Sequence, residues 1–444
     1  MVSIKFLLYF YITIFIYIST LYPQVKTNNR DNTQLIVAQI NQIWEAYSGK
    51  NFYQIYQEII DTLGHCSNNE LNDIKNSFFD LHKNYFLKSA LTKPLCSLQA
   101  HTDWVFSLAF NKSGTLLVSG SKDQTAKVWS LPEPTTPKVF KKHTGTVTSV
   151  CFDTTGSLVF SGSSDATIRL WDSSTLAEKK EFKGHINPAQ VLYYTDIVTK
   201  QLIAGLVDGS LCVWKMPYYH SHQKIRAHRD AINMLTINST GQYLASGADD
   251  YTIGLWDLDT CKKYGVLTGH TDEVLSVAFH PNKFLLASAS KDCTLCIWDL
   301  NYYKNVQDNP KDPVILEVIH PDWISSISYN YDGTVLASGC FDHYLRLWDT
   351  DNTIYSCIGS YELPGWILSL AFNSIGSLLA AGTTNGSITL FYIPTRELTF
   401  DQLLFIRALE YVQKDALSLI ESPILETFDE YIRVYYTDII TASF

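Results

Sequence analysis

From about residue 94 to 393 the chain alternates apolar and polar positions in short runs, separated by clusters of Gly, Ser, Asn and Asp. Trp104 to Phe110 alternates in this way, Ser113-Gly114 turns the chain, Leu116 to Ser119 forms a second run and Ala126 to Trp129 a third. A fourth run follows Trp129 and leads to His143. A period of two over a few residues predicts half-buried strands, and no helical period interrupts it. The layout then repeats with a spacing of about 42 residues, which suits a unit of four short antiparallel strands. The expected fold class is therefore all-β, built from repeated sheets that pack face to face.

Four further positions keep register with this repeat. An aspartate is followed six residues later by a tryptophan in six units: Asp123 by Trp129, Asp165 by Trp171, Asp208 by Trp214, Asp250 by Trp256, Asp292 by Trp298 and Asp342 by Trp348. His101, His143, His185, His228, His270 and His320 stand 22 or 23 residues before those aspartates. Ser119, Ser161, Ser246, Ser288 and Ser338 add a hydroxyl in five units, whereas the third has Ala204. A seventh, eroded copy carries Leu363, Ala381, Asn385 and Phe391. A buried indole must place its N–H on an acceptor and a buried carboxylate needs donors, so the recurrence predicts a satisfied polar network in each unit. Ser, His and Asp repeated unit after unit, each with its Trp, read as structure rather than as hydrolase triads. Units 3 and 7 are expected to lean more on apolar packing.

The segments Gly184-His185, Gly269-His270, Ser161 to Asp172 (SGSSDATIRLWD) and Lys291 to Asp299 (KDCTLCIWD) resemble the signature of the WD-repeat family of β-propellers. The resemblance implies a seven-bladed propeller over residues 94–393, with Pro94 to Leu98 as the outer strand of the last blade and the ring closed by pairing chain start with chain end. It also implies a non-catalytic scaffold or adaptor that presents a rigid surface to proteins or peptides. Two alternatives come from other classes. One is the substrate-recognition subunit of a ubiquitin-ligase-type enzyme complex. Some relatives in that role carry Arg or Lys two residues after the Trp-Asp pair, where this chain has Ser174, Asp259, Asn301 and Asp351. The other is a hydrolase or lyase on a propeller scaffold, which would need an acid or metal constellation in the channel.

Three tryptophans stand out from the repeat. Trp104, Trp323 and Trp366 occupy the same place in their units, where the chain enters the innermost strand; elsewhere that place holds Thr146, Pro188, Ala231 and Glu273. Units 6, 7 and 1 become neighbours once the ring closes, so the indoles are expected to form one arc at the channel mouth. Phe341 would extend it and Lys122 would flank it. Clustered aromatic anchors are typical of interaction hot spots. The bland alternative is that these rings cover one another or terminal helices.

Composition narrows the rest. With 46% hydrophobic and 18% charged residues over 444 positions, the chain has a globular balance and room for more than one domain. A net charge of −10 without clustered Lys and Arg argues against nucleic acid as a partner. Nine cysteines, an odd number, look like small core residues with free thiols. Cys293 and Cys296 form a lone C-x-x-C running from a turn into a strand, which does not make a zinc site. His220, His222 and His228 read as a solvated loop rather than a metal site, and no cofactor is expected. Asn111, Asn238 and Asn385 match glycosylation acceptors but sit where turns are expected anyway. Residues 1–24 place Lys5 before an apolar run from Phe6 to Ile18, the pattern of an export signal or membrane anchor, so exported or anchored protein is expected, with cytoplasmic as the alternative. Residues 25–93 and 394–444 carry helix-like spacing, with a capping box at Thr399 and Gln402 and Ser422-Pro423 opening a further helix.

Overall fold

The computed structural model describes residues 94–393, apart from the short segments 132–133, 135, 183–186, 216–221, 302–313, 316–319, 351–354 and 375. The expected signal or anchor, the helical extensions and most of the connection from Asn301 to Pro313 lie outside the described residues. Among the described residues every regular element is a strand, and no helix is long and apolar enough to cross a membrane.

The strands form seven antiparallel sheets of four. Blade 1 comprises Val105–Phe110, Leu116–Ser121, Ala126–Ser130 and Lys138–Phe140, within a residue or two of the apolar runs that predicted them. The innermost strands of the other blades are Val147–Phe152, Ala189–Thr195, Ile232–Ile237, Val274–Phe279, Ile324–Tyr329 and Ile367–Phe372. Each packs on the next and the last packs on the first, so the ring is closed. Closure is sealed by Cys96–Gln99, which pairs with Ser387–Tyr392 in the register Cys96↔Leu390 to Gln99↔Ser387. The expected closing strand is thus present, shifted from 94–98 to Cys96–Gln99. Joining the ends removes two open sheet edges.

The core lies between blades rather than at one centre. Phe160, Ile168, Leu170 and Phe182 of blade 2 bury against Ala189, Leu192, Leu202 and Trp214 of blade 3, and each remaining interface repeats the scheme. Every innermost strand carries a β-bulge at the same place, between Val105 and Ser107 in blade 1 and between Ile367 and Ser369 in blade 7. A bulge bends a strand and re-aims its side chains. Here the serine after the bulge reaches the neighbouring blade: Ser107 accepts from the Val150 amide (3.1 Å), Ser149 from Leu192 (2.9 Å), Ser276 from Ile327 (3.1 Å) and Ser326 from Leu370 (3.0 Å). Ser369 donates to the Val105 carbonyl (3.1 Å) across the closure. Blades 3 and 4 have Val191 and Met234 there, and Asn233 instead donates to the Val274 carbonyl (3.1 Å).

Candidate functional site

The repeated network is wired as one chain of hydrogen bonds. In blade 1 the Trp129 indole donates to Ser119 Oγ (3.0 Å), Ser119 meets His101 Nε2 (2.8 Å), and His101 Nδ1 meets Asp123 Oδ2 (2.8 Å). Blades 2, 4 and 5 repeat this wiring. The indole of Trp171 donates to Ser161 (2.8 Å), that of Trp256 to Ser246 (2.9 Å) and that of Trp298 to Ser288 (2.8 Å). Each serine meets its histidine at 2.7 Å, and the His–Asp distances are 2.9 to 3.1 Å. Because serine accepts from the indole, its own proton goes to Nε2, which leaves Nδ1–H for the aspartate. The carboxylate is completed by the amide after the histidine and, in blades 1, 2, 4 and 5, by a threonine two residues after the aspartate, for example Thr102 and Thr125. Burial alone would raise Asp165, but hydrogen bonds from Thr167 and His143 outweigh it and bring it down to about 2.

These residues are internal. Trp129, Trp171, Trp256, Trp298 and Trp348 are all buried, and Trp171 packs against Phe140 of the preceding blade (5.1 Å between ring centres). They brace the blades and offer nothing to a partner. The five serines are fully buried and already bonded to indole N–H groups, so none is placed as a nucleophile. The network also holds the residue after each aspartate, Gln124, Ala166, Tyr251, Cys293 or His343, in the left-handed region (φ 60 to 74°), while blades 3 and 7 use Gly209 and Gly386 there.

Blade 6 keeps the four residues but is wired differently. The Trp348 indole still donates to Ser338 (2.8 Å). The Arg346 guanidinium, however, lies between His320 and Asp342, donating to His320 Nδ1 (3.1 Å) and to both carboxylate oxygens of Asp342 (3.1 and 2.5 Å). The cause is local. Pro321 has no amide N–H to offer and Tyr344 replaces the usual threonine, so Asp342 lacks two donors that Arg346 supplies. His320 must then carry its proton on Nε2, toward Ser338 (3.2 Å), the opposite tautomer to the other blades. Burial first, then the Arg346 charge, push His320 down to about 4. His320, Cys340 and Asp342 could offer ligand atoms within 4.8 Å of one another, but a guanidinium fills the place a metal ion would need. Blades 3 and 7, which lack the network serine, are held in different ways. Asp208 is held by Asn187 (2.7 Å) and Lys224 (3.0 Å), and Leu363, Ala381 and Phe391 are fully packed in an apolar cluster.

At one end of the ring the repeat sets two side chains per blade next to each other. The residue before each network position donates its amide to the carbonyl of the residue that enters the innermost strand: Lys122 to Trp104, Ser164 to Thr146, Val207 to Pro188, Asp249 to Ala231, Lys291 to Glu273, Phe341 to Trp323 and Thr384 to Trp366, at 2.9 to 3.1 Å. These seven pairs form a rim. In blades 6, 7 and 1 the rim is aromatic and continuous. Trp323 meets Phe341 (5.2 Å between ring centres), Phe341 stacks on Trp366 (4.9 Å, 10°), and Trp366 meets Trp104 edge-on (6.3 Å). Lys122 lies over Trp104 (4.4 Å) and Lys291 over Trp323 (4.6 Å), so an ammonium group caps each end. Lys122 also faces Asp103 (3.7 Å) and Lys291 is paired with Glu273. Trp323 and Trp366 remain 39% and 40% exposed, so packing among the rings does not hide them.

Five segments, residues 92–130, 135–172, 220–257, 261–299 and 315–349, match the family described as WD domain, G-beta repeat. The chain is a WD-repeat β-propeller. No curated protein matches it. The matched segments carry blades 1, 2, 4, 5 and 6, and the two WD blades left unmatched are those in which Ala204 and Ala381 replace the network serine. Blade 3 keeps His185, Asp208 and Trp214 and lacks only the hydroxyl, whereas blade 7 has lost all four. WD-repeat propellers are in general non-catalytic scaffolds for protein interaction.

The structure brings together all five residues predicted for the arc. It adds Lys291, which sequence reasoning missed, although Lys122, Lys291 and Phe341 share one register position just before the network aspartate. Arg346 was missed as well, because the same place in other blades holds Lys127, Arg169, Cys212, Gly254 and Cys296, with no common chemistry. His220 lies outside the described residues, and both ring nitrogens of His228 are used by Ser246 and Asp250, so this histidine is not available to a metal. Cys293 and Cys296 do not pair, and no disulfide joins any two of the eight cysteines among the described residues. Asn111 and Asn238 are buried, with their amides spent on turn hydroxyls, so the folded domain does not present them as glycan acceptors.

Proposed function

We propose that this protein is a non-catalytic adaptor that captures a protein or peptide on the aromatic arc of blades 6, 7 and 1. The observation that carries the reading is the pre-set row Trp323, Phe341, Trp366 and Trp104, in which Trp323 and Trp366 are exposed and the other two half-buried, capped by Lys291 and Lys122. Each ring is braced by its neighbours and each backbone by the rim hydrogen bond. Little side-chain freedom is lost when a partner arrives, so more of the contact energy is realised as affinity. A single aromatic anchor in such a place contributes roughly 2 kcal/mol or more to binding. The blade networks lie behind this surface and act by keeping it rigid. The test is capture of the partner from native cells by wild type and by the triple variant W104A/W323A/W366A, with folding checked by circular dichroism. Capture is expected to be lost in a folded variant. Unchanged capture would overturn the reading.

A further inference from the structure

The arc does not end at Lys291. Beyond it, blades 4 and 5 present Glu273, Asp249 and Asp230 as a contiguous group. Lys291 pairs with Glu273, and Asp249, held by the Asn233 amide (2.6 Å), feels the charges of Glu273 and Asp230 as well as that of Lys291. Asp230 accepts from the Ala231 amide (2.9 Å), whose carbonyl in turn receives the Asp249 amide, so the three carboxylates adjoin along the rim, with Lys291 at one end and the Arg226 guanidinium on the Arg229 carbonyl at the other. Burial, reinforced by Glu273 and Asp230, raises Asp249, because its neighbouring carboxylates disfavour a further negative charge. Lys291 shows what the sector accepts, a cation held between the face of Trp323 and the carboxylate of Glu273. Lys122 repeats the arrangement between Trp104 and Asp103 at the other end. By contrast, blades 2 and 3 offer Thr146, Ser164, Pro188 and Val207, with no charge.

From this charge pattern, and resting on the proposed use of the arc, we infer that the occupant is an extended segment of a partner protein with a large apolar side chain and, a few residues away, an arginine or lysine. The apolar group lies on Trp366 and Phe341, and the cation enters the sector of Asp230, Asp249 and Glu273 beside Lys291. An extended chain advances about 3.3 Å per residue, so the second side chain follows several residues later to pass Trp323 and Lys291 and reach the acids. An acidic segment is disfavoured by the same carboxylates.

A fluorescent peptide set in a Gly-Ser background provides the probe: Leu, Phe or Trp at one position, and Arg, Gln or Glu two to five residues away. Fluorescence anisotropy on the full chain is expected to show the Arg peptides binding at least tenfold more tightly than their Glu counterparts at 50 mM salt, with the advantage shrinking at 500 mM. D230N/D249N should reduce the Arg-over-Gln preference while leaving dependence on the apolar residue, and W366A should remove the latter. Binding that ignores the charge, prefers Glu, or is unaltered by D230N/D249N would overturn the inference, as would a set in which nothing binds. If native partner capture still requires the tryptophans in any of those cases, the arc stands and only the occupant's chemistry is wrong. If capture ignores the tryptophans, the arc itself is wrong.

Discussion

Replacing Arg346 by alanine isolates what the altered wiring of blade 6 contributes. In blades 1, 2, 4 and 5 the network aspartate draws on a histidine, two backbone amides and a threonine hydroxyl, as Asp165 does from His143, Thr144 and Thr167. Asp342 has the Tyr344 amide (2.9 Å) and the two bonds from Arg346. The Arg346 and Asp342 side chains are only 15% and 9% exposed, so truncation leaves a carboxylate largely out of water with one donor. Removing one member of a buried pair costs about 3–5 kcal/mol, and the residual access of water places this case near the lower bound, about 3 kcal/mol. That corresponds to roughly a hundredfold easier opening of the blade. Hydrogen exchange at Leu345, Leu347 and Trp348 should accelerate by that order while Ile297 and Trp298 of blade 5 stay unchanged. Adding P321T and Y344T supplies the amide and the hydroxyl that the other blades use, so most of the loss should be recovered. Unaltered exchange in R346A, or a triple variant no better than the single one, would refute the account.

Three further outcomes are expected. Burial lowers His101, His143, His228 and His320, the last to about 4 with Arg346 assisting. The unfolded rings protonate near 6.5 and these four folded ones later, so the stability they contribute is full above that value and declines as pH falls; His270, which burial would lower but Asp292 and Cys296 raise to about 9, contributes in the opposite sense. For His320 alone the loss is about 2 kcal/mol at pH 5, and urea unfolding of H320Q should show a shallower decline from pH 7 to pH 5 than wild type. A methyl group on Gly205 would lie 2.7 Å from Ile232 Cγ2 and 2.9 Å from Val191 Cγ1, so G205A should destabilise the blade 3 to blade 4 interface by about 1–3 kcal/mol in thermal unfolding. Core amides of blades 3 and 7, which lack the serine-centred network, should exchange faster than those of blade 5; equal protection would show that apolar packing at Leu363, Ala381 and Phe391 suffices.

The repeated four-strand unit and its seven copies were readable from residue spacing, whereas ring closure, and with it the placing of Trp104, Trp323 and Trp366 on adjoining blades, was implied by the resemblance to WD-repeat propellers. The reason is that a repeat must bury the same face and satisfy the same polar groups each time, so its register shows in one dimension. Trp171 and Trp256 illustrate this: each stands ten residues after its serine and six after its aspartate, and each indole meets that serine. The missing serine at Ala204 likewise told which blade departs from the pattern. What spacing could not reveal is how residues on different blades meet. Lys291 belongs to blade 5 yet caps a ring of blade 6, and Phe341 stacks on Trp366 of blade 7. Arg346 was hidden for a related reason: its meaning depends on donors absent from Pro321 and Tyr344, and only distances show that one guanidinium replaces both. Side chains at equivalent positions are distant in sequence and share no local signal, so their contacts are decided by closure of the ring and the curvature that the bulged inner strands impose.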